Sequence, residues 1–274
     1  MPRLLPALSS RTEGTLIGLT VGRSLALGAA PDGALALARI LAEELAHGRT
    51  DLRETARRWV KHYRTDPRGI GPETAAALSH LERYDAPPAE AAGRGPDPLV
   101  HCVPVAIAMF QSPRNLVSGT YHIAALTHPD PAVAWSAVAL NVALARFLQG
   151  KRDFIADVLE ALRNNAVPEE LLGILRRVPV ALREDLGAAE LSAPDAVGCV
   201  RAALWLAYHE PLAARGLSWA AEGGPRSAAL AGAAGALLGA RDGVEALDPW
   251  SAALPDQGES LRRLAAVLAR TTPT

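Results

Sequence analysis

The residues best able to do chemistry in this sequence are one aspartate and two histidines. Asp32 lies in a Pro-Asp-Gly turn, where a carboxylate can either bind a cation or cap the following helix, and we favour the cap. His128, in a Thr-His-Pro-Asp sequence, could contact phosphate or ribose, but fastening the loop before a helix is the favoured role. His101 beside Cys102 is interpreted first as a core histidine with satisfied hydrogen bonds, and otherwise as a ligand contact. Beside these favoured structural roles, Asp32 is the candidate catalytic residue, and His101 and His128 are candidate ligand contacts.

A zinc site is the first alternative for these side chains. His101, His122 and His128, together with Asp130, are all possible ligands. Their spacing matches no established zinc-binding pattern. We therefore predict no metal ligands here.

A glycine pair followed by a basic residue forms the second candidate binding segment. Gly223 and Gly224 precede Pro225 at a predicted helix start, and Arg226 and Ser227 follow. Free backbone amides and a guanidinium attract anions at such a place. A tight turn into close helix packing explains the same glycines equally well, so both interpretations stay open.

Nucleophilic catalysis has no support in the sequence. No Gly-x-Ser-x-Gly segment is present, and neither Cys102 nor Cys199 has a base next to it. Each cysteine lies in an apolar stretch, which favours two buried thiols in a reducing cytoplasm. The tryptophans are isolated from one another along the chain, which indicates packing rather than a stacking platform. They are Trp59, Trp135, Trp205, Trp219 and Trp250.

Composition bounds the class of protein. The chain has 274 residues, 49% of them hydrophobic and only 4% aromatic, with a formal net charge of −1. So balanced a charge gives no basis for binding nucleic acid or an anionic membrane. The uncharged run 227–240 is too short, and too rich in glycine and alanine, to span a bilayer. Because the first residues also lack the features of a signal peptide, we expect a soluble cytoplasmic protein.

Helical periodicity dominates the elements that must position these residues, and no strand pattern alternates convincingly. Residues 33–47 form an amphipathic pattern, and a helix capped by Thr50 or Asp51 follows. A helix from Pro131 to about Gln149 is apolar nearly all round, so it should lie at the centre of the core. Residues 85–98 are rich in proline, glycine and alanine, and we read them as a loop inside a single domain spanning 1–274. Further helices are predicted at 151–164, 168–177, 194–209, 225–240 and 256–270.

Four segments in the expected order resemble the ADP-ribosylglycohydrolase family of the dinitrogenase-reductase-activating glycohydrolase type. Residues 14–22 (GTLIGLTVG) resemble its glycine-spaced first helix, and residues 52–71, ending in DPRGIG, resemble the stretch after its first metal motif. Residues 126–131 (LTHPDP) resemble its T-H-P segment, and residues 223–240 resemble its late G-G-D-x-D-T helix. The resemblance implies a compact all-α bundle of orthogonal helices. It also implies two magnesium or manganese ions, held by carboxylates and threonines, for the hydrolysis of ADP-ribosyl bonds.

The same comparison shows where this chain departs from the family pattern. The first metal motif falls on residues 29–34 (AAPDGA), which leaves Asp32 as its one acid. The late motif reads GGPRSAA, with Arg226 where a metal-binding aspartate would stand. Arg23 stands where the first helix would carry aspartate, and the G-N-G-S-L-M-R segment becomes residues 95–101 (GPDPLVH). One carboxylate cannot neutralise two divalent cations, so we predict that the two-metal centre is absent and that no cofactor is bound.

These departures lead to a prediction of structure and one of function. A buried guanidinium needs a partner, so Arg226 should form an ion pair with Asp32 in the vacated site. The chain should be a catalytically degenerate relative, acting as a binding or structural component with at most a weakened pocket for an ADP-ribose-like or phosphate ligand. Its binding contacts would come from the glycine segment, with Arg226 and Ser227, and from the histidines. The alternatives are a residual or metal-independent hydrolase in the same cleft, and an interaction protein that pairs with a partner or with itself.

Overall fold

The regular elements of this protein are helices, which confirms the predicted all-α class. The computed structural model describes residues 5–30, 32–48, 51–163, 165–187, 194–251 and 254–271, and no strand occurs in these ranges. The predictions made for the first four residues, Pro31, Thr50 and Asn164 lie outside the described residues. The α-helices are α1 (Leu8–Leu27), α2 (Gly33–Ala46), α3 (Leu52–Thr65), α4 (Pro72–Tyr84), α5 (Pro98–His101), α6 (Val103–Met109), α7 (Pro113–Ala125), α8 (Pro131–Leu148), α9 (Ile155–Arg163), α10 (Glu169–Arg177), α11 (Ala196–His209), α12 (Ala213–Ala221), α13 (Ala228–Asp242), α14 (Asp248–Ser251) and α15 (Pro255–Leu268).

Aspartate caps explain where several helices begin. The carboxylate of Asp51 accepts a hydrogen bond from the backbone N–H of Arg53 at 2.9 Å, at the start of α3. Asp130 accepts one from Ala132 at 2.7 Å at the start of α8, and Pro131 occupies the first helical position there. These caps satisfy backbone donors that a helix start leaves unpaired. The local sequence therefore fixes the entry of the helices that surround the site.

Helix α8 is the central core helix, as its all-round apolar pattern predicts. It is the one described helix long and apolar enough to cross a membrane by length and composition, and 89% of that window is buried inside the protein. The core helix of a folded domain passes the same test. Asn141 is a fully buried polar residue on α8, and its side-chain amide donates to the carbonyl of Cys102 at 2.8 Å and to the hydroxyl of Thr120 at 3.0 Å. Both cysteines are buried, free thiols, as predicted.

Helices α1 and α13 pack backbone against backbone through glycines. A Cβ added to Gly14 would collide with the carbonyl of Gly239, and one added to Gly18 would collide with that of Gly235. A Cβ on Gly22 would likewise collide with the carbonyl of Ala231. The glycine spacing of residues 14–22 therefore serves close helix packing, and it brings the end of α1 against the start of α13.

Several bounds differ from the sequence prediction. Helices α5, α6 and α7 lie in a region for which no helix bounds were predicted, and α9 begins at Ile155 rather than Lys151. The helix predicted from Pro225 begins instead as a 3₁₀ turn, Gly224–Ser227, and becomes α-helical only at Ala228. Gly224 has a left-handed backbone with φ of 61°, which the preceding chain needs in order to turn into this segment.

Candidate functional site

An ion pair between Arg23 and Asp32 occupies the junction of α1 and α2. Nε of Arg23 donates to Oδ2 of Asp32, and the two side chains are only 6% and 15% exposed. Arg23 lies near the end of α1, and Asp32 is the residue immediately before α2. A mostly buried pair of this kind is screened little by solvent, so each charge depends on the other.

The ion pair predicted between Arg226 and Asp32 is wrong. Arg226 is exposed in the 3₁₀ turn before α13 and makes no ion pair with any residue that the structure describes. The partner of Asp32 is Arg23 instead. A cation does fill the position next to the acid, but it comes from the first helix. The 3₁₀ turn that precedes α13 leaves the Arg226 side chain in solvent.

Asp32 has a second role as the N-cap of α2. Its Oδ1 accepts a hydrogen bond from the backbone N–H of Leu35 at 3.0 Å, which confirms the predicted cap. Both carboxylate oxygens are therefore engaged, one by the helix start and one by Arg23. Its role as a catalytic residue stays a prediction.

The stem of Arg23 fits because Gly232 lies opposite it on α13. A Cβ added to Gly232 would lie 2.7 Å from Cγ of Arg23. The glycine therefore leaves the space that the long side chain needs on its way to Asp32. Neither residue type alone indicates this fit, because it depends on how α1 and α13 face each other.

His101 is a buried core histidine, as predicted, but it is not satisfied. It is fully buried in α5, and neither ring nitrogen has a hydrogen-bond partner among the described residues. Its ring packs against Trp59, with ring centroids 4.8 Å apart. Burial lowers the pKa of His101 well below its ordinary value, and the proximity of His128 and Arg23 lowers it further. His101 is therefore a neutral imidazole within electrostatic reach of the Arg23 guanidinium.

His128 lies in the loop that precedes α8, among carboxylates. Its Nδ1 is 3.0 Å from the hydroxyl of Thr127, and its Nε2 has no partner among the described residues. Burial lowers the pKa of His128, and the negative charges of Asp97, Glu73 and Asp130 partly oppose that shift. His128 and these acids form a second group of polar residues, and His128 is close enough to His101 to lower the pKa of that histidine.

Sequence reasoning missed Glu73 and Asp97. The hydroxyl of Thr74 donates to Oδ2 of Asp97 at 2.6 Å, and a Cβ on Gly95 would lie 3.0 Å from a carboxylate oxygen of Glu73. The glycines of residues 93–95 thus leave room for the Glu73 carboxylate. In the sequence these glycines indicated only a loop, although they were the signal from which a nearby Glu73 carboxylate could have been inferred.

The segment 223–227 is a turn closed by its own side chain. The hydroxyl of Ser227 donates to the carbonyl of Gly224 at 3.1 Å, and Ser227 is buried. This geometry supports the tight-turn interpretation of the glycine pair. The turn packs against α1, the helix that carries Arg23.

The residues present do not fit a pair of divalent metal ions. Hard cations require several oxygen ligands with negative charge, and the guanidinium of Arg23 already neutralises Asp32. At 4 Å, two unit charges interact by roughly 4 kcal/mol at an effective dielectric constant of about 20, so Arg23 would repel a divalent ion strongly. Among the described residues, no group of three or more His, Cys, Asp or Glu side chains is placed to hold a metal ion.

A cavity of about 440 Å³ opens beside Asp32, between α1, α2 and α15. Its lining is mainly leucine and alanine, with polar groups from Thr20, Ser24 and Arg39. The volume falls within the range of small-molecule binding sites. The Arg23–Asp32 pair thus lies at the edge of a space that could admit a ligand.

Two tryptophans that are isolated in the sequence come together in the structure. The ring centroids of Trp205 and Trp219 are 5.6 Å apart, on α11 and α12. They lie on different helices and contact each other in a tilted arrangement, because the turn between α11 and α12 folds one helix onto the other; this contact is consistent with the predicted packing role.

Comparison with known proteins adds the following findings. The family model described as ADP-ribosylglycohydrolase matches residues 5–274. A solved structure described as "ADP-ribosylglycohydrolase-related protein complex" is similar, with a TM-score of 0.78 and 23% sequence identity, covering 97% of this chain and 99% of that chain. No curated protein matches the chain. The similar structure confirms the predicted fold.

Proposed function

This chain belongs to the ADP-ribosylglycohydrolase family, and from that premise we propose that it is a catalytically degenerate member that acts as a binding or structural component. One observation carries the proposal. Arg23 neutralises Asp32, the one acid left at the position of the family's first metal motif. The guanidinium neutralises the charge of the carboxylate, as a metal ion would, but unlike a metal ion it cannot activate water.

Elemental analysis of the purified protein tests the loss of metal directly. We expect no stoichiometric magnesium or manganese after incubation with either ion and removal of the excess. The comparison variant is Arg23→Asp, which removes the repelling cation but still supplies too few acids for a pair of metal ions, so it too should carry no stoichiometric metal. Stoichiometric metal in the unaltered protein would overturn the proposal.

The ligand we propose is an ADP-ribose-like or phosphate-containing molecule, bound weakly in the cavity beside Asp32. Arg39 in the cavity lining is 57% exposed and so remains available to a phosphate, although it also contacts Glu43 at 3.3 Å. Isothermal titration with ADP-ribose, NAD and inorganic phosphate tests the pocket. We expect Arg39→Ala to weaken binding and the exposed control Arg53→Ala to leave it unchanged. No heat at millimolar ligand would leave only the structural role.

A hydrolase in the same cleft is the second candidate, and the environment of His128 is what favours it. An unpartnered ring nitrogen near Asp97, Glu73 and Asp130 is an arrangement that general acid–base chemistry uses. The assay is hydrolysis of ADP-ribosyl-arginine with added magnesium or manganese. Turnover abolished by Asp32→Ala would establish the hydrolase and overturn the degenerate assignment.

A protein partner or a second copy of the chain is the third element of the proposal. Val180 and Leu182 are 78% and 65% exposed, close together between α10 and α11. Adjacent exposed apolar side chains favour an interface. Light scattering tests this. A chain that is monomeric, or whose oligomeric state is the same in Leu182→Ser, would count against self-association through these residues.

A further inference from the structure

A second cavity, of about 360 Å³, lies between α11, α12 and the 3₁₀ turn Arg183–Asp185. Two indole rings line it, Trp205 and Trp219, tilted by 53° to each other. Two carboxylates, Glu210 and Glu222, also line it. Aromatic faces combined with acids are the groups that recognise organic cations.

A cation of the chain itself already occupies this cavity. The guanidinium carbon of Arg183 lies 4.6 Å from the ring centroid of Trp219, well within the range of a cation–π contact. Arg183 is exposed, and its side chain makes no hydrogen bond or ion pair with any described residue. The contact with the ring is therefore what holds this guanidinium in the cavity.

The wall behind the guanidinium is fixed by hydrogen bonds. The indole N–H of Trp205 donates to the carbonyl of Ala181 at 2.8 Å, and Nε2 of His209 is 2.8 Å from the carbonyl of Val178. The ring of His209 packs on that of Trp205, with centroids 4.8 Å apart. The cavity is thus preformed, and the side chain of Arg183 can leave it without breaking any of these contacts.

The charges of the lining favour a cation once Arg183 has left. Glu210 is paired with Arg215, with 2.8 Å between its carboxylate and Nε. Glu222 is exposed and has no ion pair among the described residues. A carboxylate without a counter-charge then lies in the same cavity as an open indole face.

We propose that this cavity binds the guanidinium group of an arginine side chain from outside the chain, and that Arg183 is its internal competitor. A guanidinium is planar, stacks on an indole and can form two parallel hydrogen bonds with a carboxylate such as Glu222. An ammonium group is more strongly hydrated and does not stack in this way. The proposal is independent of the function proposed above, because none of the residues involved lines the cavity beside Asp32.

The test is a titration of the full chain with N-acetyl-arginine methylamide, followed by the indole N–H signals of the five tryptophans in nuclear magnetic resonance spectra. Trp219→Phe assigns the signal of Trp219. We expect that signal to shift. We also expect Arg183→Ala to bind more tightly, by about tenfold for a competitor that occupies the cavity about nine-tenths of the time, because removing the competitor raises the apparent affinity by the inverse of the unoccupied fraction. The lysine analogue should bind at least several-fold more weakly.

Matched variants separate recognition from general charge effects. Glu222→Gln should weaken binding in the Arg183→Ala background, whereas Glu160→Gln, an exposed acid on α9, should not. Arg176→Ala removes an exposed arginine elsewhere and should not reproduce the gain seen with Arg183→Ala. If neither the unaltered chain nor Arg183→Ala shifts the Trp219 signal at millimolar ligand, while circular dichroism shows both folded, the proposal is overturned.

Discussion

The two ends of α1 face the same neighbour, α13, under opposite constraints. Over Gly14 and Gly18 the backbones touch, and no side chain larger than hydrogen fits. Five residues beyond Gly18, Arg23 carries one of the longest side chains, and there the glycine stands on the other helix, as Gly232. Close packing therefore determines which residues fit in the first part of α1. At the end of α1, the absence of a Cβ at Gly232 leaves room for the charged side chain of Arg23.

Within this one helix, the positions that determine the packing and the position that carries the charge are therefore under separate constraints. Burial and backbone contact determine which residues are possible at Gly18, whatever the chemistry nearby. At position 23 the requirement is only that a buried charge should find a partner, which Asp32 provides. The fold of this family is thus compatible with a buried guanidinium at this position.

The largest expected effect comes from filling the glycine interface. In Gly18→Val a Cβ would collide with the carbonyl of Gly235, so the helices must separate and the core must open. We expect a loss of more than about 4 kcal/mol in the free energy of unfolding, or failure to fold. Urea unfolding followed by circular dichroism measures it. The control is Gly173→Ala on α10, where a Cβ meets nothing within 4 Å; it should stabilise by about 0.5–1 kcal/mol. Equal stability of the two variants would contradict the close-contact account.

The next effect comes from breaking the ion pair while keeping the volume. Arg23→Met retains a long stem against Gly232 but leaves the Asp32 carboxylate mostly buried without its cation. We expect the free energy of unfolding to fall by about 2–3 kcal/mol. Adding Asp32→Asn, which preserves a helix cap, should recover at least about 1 kcal/mol of that loss. Strictly additive effects in this double-mutant cycle would mean that the pair is not coupled.

A smaller effect should follow acidification, through His101. Its lowered pKa means that below pH of about 6.5 the unfolded chain binds protons that the folded chain does not. Stability is therefore complete above this pH and decreases as the pH falls below it, by at most about 1.4 kcal/mol per pH unit for one group. In His101→Gln this slope should become smaller, with His128 still contributing. Urea midpoints between pH values of about 7.5 and 5 provide the measurement, and an unchanged slope in the variant would refute the assignment.

The smallest effect sharpens the contrast between two arginines. Arg226→Ala removes an exposed cation with no ion pair among the described residues, so stability should change by no more than about 0.5 kcal/mol. The same substitution chemistry at Arg23 should cost several times more. Thermal melting of both variants side by side measures the contrast. A large loss of stability in Arg226→Ala would show that the Arg226 side chain makes stabilising contacts rather than being exposed to solvent.

Local signals in the sequence were enough to predict most of the framework. The Asp32 and Asp51 caps, Pro131 at the start of the central helix and the apolar pattern that follows it act within one or two helical turns, so they can be read from neighbouring residues. In the sequence the glycine spacing of α1 indicated only a family resemblance, and its role in close packing became visible in the structure. These features determine the fold class and the place of the candidate site.

The pairing of charges could not be predicted in the same way. Whether Arg23 or Arg226 reaches Asp32 depends on the rotation of α1 against α13 and on three residues of 3₁₀ geometry after Gly224, neither of which leaves a periodic trace in the sequence. The approach of Trp205 to Trp219 likewise depends on how α12 folds back on α11. Long-range contacts of this kind appear only when the helices are assembled.

The double use of Asp32 also constrains how a metal-dependent hydrolase could arise from this chain. Reversing the charge at position 23 would free one carboxylate oxygen, but the other would still hold the first turn of α2. Regaining a metal centre would therefore require at least one further acid from another segment before the original chemistry became accessible. The loss of activity proposed here would therefore not be reversed by a single substitution.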